Sequence, residues 1–186
     1  CIRDRFLVME FVPGESLAAL IERSKRLPIP LALAILRQIL QGLEHAHSQG
    51  VVHRDLKPAN IMLMGSPNDP ARATIKLLDF GIAKMSEGLS EGDRPLTQGA
   101  MVFGTPSYMS PEQATAQEAD ARTDLYSCGI ILYEMLSGRK PFVADDLVKV
   151  MALQVTAAPP SLSSAAPDAR IPAALEGVVM RALEKD

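Results

Sequence analysis

The chain has 186 residues, of which 47% are hydrophobic and 22% are charged. This composition is typical of a globular protein, and the length suffices for one domain with a substantial core. A net charge of -3 is too small to argue for nucleic acid or an anionic membrane as a partner, and no nucleic acid is expected. The two cysteines, Cys1 and Cys128, make no disulfide framework, and Cys128 is expected to pack as a small hydrophobic residue in a reducing cytosol.

The first part of the chain is predicted to form a strand and two helices. Residues 5–12, "RFLVMEFV", are apolar and rich in strand formers, and "PG" then stops the strand. Ser16 can cap a short helix that runs to about Arg26. Apolar residues recur with helical spacing over 31–47, which predicts a second helix. Arg37 interrupts the apolar run "LALAILRQIL", which is too short to cross a bilayer.

The middle of the chain is predicted to contain short strands at 51–53, 60–64 and 74–79, the last two joined by a turn. A polar stretch rich in Gly, Ser and Thr follows from about Ser86 to Gln98. It has no periodicity, and we expect it to be mobile.

The last part is predicted to be helical. Residues 124–138, "DLYSCGIILYEMLSG", are apolar nearly all the way round, which indicates a buried central helix that Gly138 ends. Two further helices are predicted near 145–155 and 172–184, with a Pro/Ser/Ala loop between them. The order of elements therefore predicts an α+β fold that is mainly α-helical with small β-hairpins.

Four polar residues fall at the ends of the predicted central strands. Asp55, Lys57 and Asn60 lie within six positions, and a strand runs directly into Asp79. If 60–64 and 74–79 pair as a hairpin, Asn60 and Asp79 emerge at the same end. Two carboxylates, a carboxamide and an ammonium group suit Mg²⁺ with a phosphate substrate, and Asp55 could accept a proton from an attacking hydroxyl. A polar surface loop is the alternative reading of 53–60.

Several longer motifs, in order, resolve this choice. They are "HRDLKPAN" (53–60), "DFG" (79–81), "GTPSYMSPE" (104–112) and "DLYSCGIILYEMLSGRKPF" (124–142). With them the chain resembles the catalytic domain of eukaryotic-type Ser/Thr protein kinases, in particular the bacterial members. The resemblance implies that residues 1–12 are the last small-lobe strand and the hinge. Residues 13–186 would be the large lobe, with an activation segment at 79–112 and a truncation near the C-terminal end.

The resemblance implies roles for individual residues. Asp55 resembles the catalytic base, Lys57 the lysine that contacts phosphate, and both Asn60 and Asp79 the Mg²⁺ ligands. The implied ATP-binding residues are Met9 as gatekeeper, the backbones of Glu10 and Val12 at the adenine, Met62 in the adenine floor, and Ser16 at the ribose or simply as a helix cap.

Lys57 implies Ser/Thr rather than Tyr specificity. Thr105 resembles the threonine that bonds Asp55 and Lys57 beside the acceptor peptide. Arg54 is expected to pair with a phosphate on the activation segment, for which Thr97 is the first choice of acceptor, ahead of Ser86 and Ser90.

Further residues are implied to be structural. His53 and Phe80 resemble a packing pair that positions the catalytic loops, and Asp124 resembles the acid that bonds the backbone around His53 and Arg54. Glu112 resembles an acid whose arginine partner would fall just beyond Asp186. His45 and His47 do not share a helix face and are expected to pack or cap rather than to bind metal.

No G-x-G-x-x-G occurs in the 186 residues, and only eight residues precede the predicted hinge. We therefore expect an N-terminally truncated kinase domain with little transfer activity alone.

Its expected partners are Ser/Thr-bearing proteins and, for autophosphorylation in trans, a second copy in a homodimer. The expected location is the cytosol, with or without a membrane anchor elsewhere. A pseudokinase scaffold and a small-molecule kinase of the aminoglycoside type are the alternatives. The intact four-residue set argues against the first, and "GTPSYMSPE" argues against the second.

Overall fold

The computed structural model describes residues 9–65, 69, 72–80 and 106–185. These residues form a helical lobe with one small sheet, and the predicted fold class is confirmed. The 3-10 turns Pro58–Asn60, Pro106–Tyr108 and Pro167–Ala169 connect longer elements of the described chain. The strands and helices are β1 (Glu15–Ser16), α1 (Leu17–Ser24), α2 (Ile29–Ser48), β2 (Ile61–Met64), β3 (Thr74–Leu77), α3 (Pro111–Ala114), α4 (Ala121–Ser137), α5 (Leu147–Thr156), α6 (Leu162–Ala165) and α7 (Ala173–Ala182).

The core is built around α4, in which 13 of 17 residues are buried. Asp120 caps its start by accepting a hydrogen bond from the Arg122 backbone N–H, and Gly138 ends it in the left-handed conformation. The apolar face of α2 packs on one side of α4, and α7 packs on another. The predicted buried central helix is therefore confirmed, beginning three residues earlier than expected.

The sheet has three antiparallel strands in the order β1-β2-β3. In the β2–β3 hairpin Ile61 lies opposite Leu77 and Met64 lies opposite Thr74, which confirms the predicted pairing. Gln38 of α2 holds the far end of β3, because its carboxamide donates to the Ala73 carbonyl and accepts from the Ile75 N–H. The hairpin is thus anchored to the helical core.

Two predicted strands are wrong where the structure describes them. Residues 9–12 have no strand, while residues 5–8 lie outside the described part of the chain. Residues 51–53 also have no strand, because their backbone donors go elsewhere: the Val51 N–H bonds the Ala46 carbonyl at the end of α2, and the His53 N–H bonds the Asp124 carboxylate. The apolar residues at 51–53 therefore suggested a strand that the structure does not contain.

The remaining element predictions differ from the structure mainly at their boundaries. The helix after Ser16 ends at Ser24, and the predicted Pro/Ser/Ala loop contains α6. The polar stretch 86–98 lies outside the described residues. None of the helices in the described ranges has the length and apolar character needed to cross a bilayer.

Candidate active site

Asp55, Lys57 and Asn60 form one hydrogen-bonded group on the loop between α2 and β2. The Lys57 Nζ donates to Asp55 Oδ2 at 2.8 Å. The Asn60 Nδ2 donates to the same oxygen at 3.2 Å and to the Asp55 carbonyl at 2.9 Å. The side chains of Asp55 and Lys57 are 29% and 22% exposed, so both are partly shielded yet reachable from solvent. The predicted convergence of these three residues is confirmed.

The hairpin brings Asp79 to the same end as Asn60. Beyond the last ladder pair, the Leu78 N–H donates to the Asn60 carbonyl at 2.8 Å, and Asp79 follows directly. Asp79 has a φ of +54°, so the chain turns sharply at this residue. A non-glycine residue in this region is strained and is held by its surroundings.

His53 holds the two residues that flank Asp79. Its Nε2 lies 2.9 Å from the Leu78 carbonyl, and its ring centroid lies 4.6 Å from that of Phe80. Complete burial lowers the pKa of His53 below its usual range, so the neutral ring donates from Nε2 to Leu78. The predicted packing pair is confirmed.

Asp124, at the start of α4, fixes the backbone just before Asp55. It is fully buried, and its oxygens accept the backbone N–H groups of His53 and Arg54, each at 2.9 Å. His47 adds a third bond from Nε2 to Oδ2 at 2.7 Å. The predicted role of Asp124 is confirmed. The role of His47 was missed, because its spacing from His45 says nothing about a residue 77 positions away.

Arg54 is held by its backbone, while one nitrogen of its side chain is buried. Its φ is +62°, and its carbonyl accepts from the Gln113 Nε2 at 2.6 Å. The guanidinium Nε is buried and has no hydrogen-bond partner among the residues that the structure describes. Gln113 was missed too, although the Ser110-to-Gln113 spacing is that of a capping box, which the structure forms.

The predicted ATP-binding residues lie along one stretch before α1 and on β2. Met9 is 60% exposed and Glu10 is also exposed, with its carboxylate 2.6 Å from the Lys76 Nζ. Ser16 accepts from the Ala19 N–H and caps α1, so the capping alternative is confirmed. Its contact with ribose stays a prediction, as do the adenine contacts of Glu10, Val12 and Met62. Met62 is half-buried opposite Ser16 in the sheet.

Two predicted functional residues, Thr97 and Thr105, lie outside the described part of the chain. Glu112 accepts a hydrogen bond from the Thr123 hydroxyl, and its expected arginine partner stays a prediction. Within the described ranges, no group of three or more His, Cys, Asp and Glu side chains is arranged to hold a metal ion.

The donor set of Asn60 and Asp79 nevertheless fits Mg²⁺. That ion is usually held by one or two carboxylates together with substrate phosphates and waters. The nitrogen of the Asn60 carboxamide is committed to Asp55, so its oxygen is the end that can face a cation. Asp79 is exposed and supplies a carboxylate at the same end of the hairpin.

Comparison with known proteins agrees with this geometry. The family model described as protein kinase domain matches residues 3–185, and the chain belongs to this family. Its relatives include bacterial Ser/Thr protein kinases. The chain is 42% identical over 181 residues to serine/threonine-protein kinase pkn3 of Myxococcus xanthus, covering 97% of this chain and 32% of that protein. It is 45% identical over 157 residues to serine/threonine-protein kinases PknA of Corynebacterium glutamicum, covering 84% and 31%.

A third relative, probable serine/threonine-protein kinase PknB of Lactococcus lactis, is 40% identical over 183 residues, covering 98% of this chain and 27% of that protein. The chain thus spans about a third of the length of the curated relatives it matches.

Proposed function

We propose that this chain is the catalytic lobe of a Ser/Thr protein kinase, which transfers the γ-phosphoryl group of ATP to Ser and Thr hydroxyls of proteins. The observation that carries this proposal is the bonded group of Asp55, Lys57 and Asn60 beside Asp79. Family membership and the names of the relatives support the reaction class.

Asp55 is the base in this proposal. The described hydrogen bonds to its carboxylate fall on Oδ2, which leaves Oδ1 to accept the proton of an acceptor hydroxyl. The hydroxyl oxygen then forms a bond to the γ-phosphorus, the bond from that phosphorus to the bridging oxygen breaks, and ADP leaves with the electron pair.

Lys57 and the metal ligands stabilise the charge of the moving group. Lys57 Nζ, 2.8 Å from Asp55, lies close enough to contact both the base and the transferred phosphoryl group. Asn60 and Asp79 would hold Mg²⁺, which would supply positive charge to neutralise the phosphates. His53 and Asp124 keep these groups in place through the backbone.

The test is transfer of radiolabelled phosphate from ATP to a protein substrate by the full-length protein. Asp55→Asn should lower kcat by about 10²–10⁴-fold, because the substitution keeps the shape but removes the base. Asp79→Ala should abolish most transfer and weaken the dependence on Mg²⁺. Asp69→Asn, at an exposed aspartate of the hairpin loop, is the matched control and should leave the rate unchanged. Undiminished transfer by Asp55→Asn would refute the assignment, and ATP binding without transfer in the unmutated protein would favour a scaffold.

Control of this activity is proposed to involve Arg54 and Thr97. Within the described part of the chain the buried Nε of Arg54 has no partner, which supports a role in receiving an anion, and a phosphate on Thr97 would provide one. Peptide mass mapping of active protein should find phosphate on Thr97. An active protein that is unmodified at Thr97 contradicts this assignment.

Three further expectations belong to the same proposal. The 186-residue chain assayed alone should transfer little phosphate, since it contains no G-x-G-x-x-G to cover the nucleotide. The catalytic lobe is proposed to work in the cytosol, where fractionation of cells should place it. Autophosphorylation is proposed to occur in trans between two copies, so its initial rate per molecule should rise with protein concentration.

A further inference from the structure

A buried glutamine ties α5 to the segment that follows Thr105. Val150 and Gln154 are the buried residues of α5, four positions apart on one face, and Gln154 is completely buried. Its Nε2 donates to the carbonyl of Pro106 at 3.1 Å and to the carbonyl of Ser107 at 3.0 Å. Both amide hydrogens are therefore used to hold two consecutive carbonyl groups.

Tyr126 of α4 sets the orientation of the Gln154 carboxamide. The Tyr126 hydroxyl donates to the Gln154 Oε1 at 2.7 Å. A hydroxyl that donates to the amide oxygen requires that oxygen to face it, so the amide nitrogen must face the 106–107 carbonyls. Without this bond the buried carboxamide could turn over and present an oxygen to those carbonyls.

Lys185 completes the group at the C-terminal end of α5. Its Nζ donates to the Tyr126 hydroxyl at 3.0 Å and to the carbonyls of Leu153 and Gln154, which belong to the last helical turn. It also lies 4.3 Å from the centroid of the Phe142 ring. Burial lowers the pKa of Lys185 to about 8, while the helix C-terminus favours its charged form.

The hydrogen bonds in this group all run in one direction. The ammonium of Lys185 donates to Tyr126, Tyr126 donates to Gln154, and Gln154 donates to the backbone of 106–107. Each donor strengthens the next one in such a chain. The carbonyl of Tyr108 is held separately by the Ser127 hydroxyl at 2.8 Å. Three successive carbonyl groups, from 106 to 108, are thus fixed by side chains of the helical core.

We infer that Gln154 is a positioning residue for the acceptor peptide, its carboxamide oriented by Tyr126 and Lys185 so that it holds the 106–107 backbone. This inference rests on the proposed function and on the expected place of Thr105, the residue just before this segment, beside the acceptor peptide. Gln154 lies outside the Asp55 group, so its effect falls on peptide binding rather than on the nucleotide.

The test is steady-state kinetics of the full-length protein carrying Gln154→Glu. The carboxylate keeps the shape of the side chain but cannot donate, and it faces two carbonyl oxygens. The KM for an acceptor peptide should rise roughly tenfold or more, while the KM for ATP and the slow hydrolysis of ATP without peptide stay unchanged. Peptides that differ only at the position after the acceptor should also be discriminated less.

A matched control is Gln38→Glu. Gln38 also uses both ends of its carboxamide, at the start of β3 and away from the 106–108 segment. This variant should lower the Tm and leave the peptide KM unchanged, which separates a loss of stability from a loss of positioning. If Gln154→Glu fails to fold, Tyr126→Phe removes only the hydroxyl and should raise the peptide KM in the same selective way.

The outcomes distinguish this inference from the proposed function. An unmutated protein that phosphorylates no peptide refutes the proposed function and removes the basis of the inference. An unmutated protein that is active, with a Gln154→Glu or Tyr126→Phe variant whose peptide KM is unchanged, overturns the inference alone. A parallel loss of kcat and of ATP affinity would also overturn it, because that pattern indicates general structural damage.

Discussion

Replacing Asp124 by Asn should destabilise the protein far more than its small chemical change suggests. The two carboxylate oxygens share three donors: Oδ1 accepts from Arg54, and Oδ2 accepts from His53 and His47. An asparagine has one oxygen, so its best orientation places nitrogen at the Oδ1 position and keeps the other two bonds. The Arg54 N–H then faces an NH₂ group in a fully buried site.

The expected cost follows from that lost bond. A buried donor left unsatisfied costs about 1–3 kcal/mol, and loss of the negative charge weakens the two bonds that remain, so the total is about 2–4 kcal/mol. For a domain of this size, each kcal/mol lowers the Tm by about 2–4 °C, which gives a decrease of about 4–16 °C. Phosphate transfer should fall as well, since Arg54, whose φ is +62°, directly precedes Asp55.

Thermal unfolding followed by circular dichroism measures this effect. The matched control is Asp120→Asn, the same substitution at the exposed cap of the same helix. Asparagine caps a helix about as well as aspartate does, so the control should change the free energy of unfolding by less than about 0.5 kcal/mol. Equal Tm values for the two variants would show that the three bonds to Asp124 carry no special weight.

Two further predictions concern His53 and two glycines. Burial holds the pKa of His53 below its usual range, so as the pH falls below about 6.5 the unfolded chain takes up a proton that the folded chain does not. The urea midpoint of unfolding should therefore be lower at pH 5.5 than at pH 7.5. In His53→Asn the difference between these two midpoints should be smaller. Gly138→Ala should cost about 2 kcal/mol or more in urea titrations, because φ is +76° and a Cβ would lie 2.5 Å from the Lys25 carbonyl oxygen. Gly177→Ala, in an open position on α7, should instead stabilise the protein by about 0.5–1 kcal/mol. A pH-independent midpoint, or two alanine variants of equal stability, would contradict these explanations.

The elements that could be predicted were those whose signal is local. The 3.6-residue spacing of α2 and the apolar run of α4 report burial directly, and the two strands of the hairpin are close together in sequence. The predicted strand at 51–53 failed because Val51 and His53 bond the end of α2 and the side chain of Asp124, and the spacing of nearby residues cannot reveal such distant partners.

In the candidate site, too, features with a local sequence signal could be predicted, and features that depend on distant residues could not. Asp55, Lys57 and Asn60 are neighbours in sequence and form a motif, so their convergence could be predicted. Gln154 lies 48 positions from Pro106, in a helix whose sequence suggests no more than an amphipathic surface. Its isolated polar side chain on a buried face has no local pattern to mark it, and only the packing of α5 against the 106–108 turn shows what it contacts.

The first half of α4 carries two attachments to different parts of the lobe. Asp124 supports the backbone ahead of Asp55, while Tyr126 and Ser127 support the turn at 106–108. Any replacement of residues 106–108 by a related segment should therefore include the matching portions of α4 and α5. A chimera that exchanges residues 106–109 alone would lack the matching side chains that hold this segment. We expect it to lose selectivity for the acceptor peptide rather than to acquire the selectivity of the donor protein.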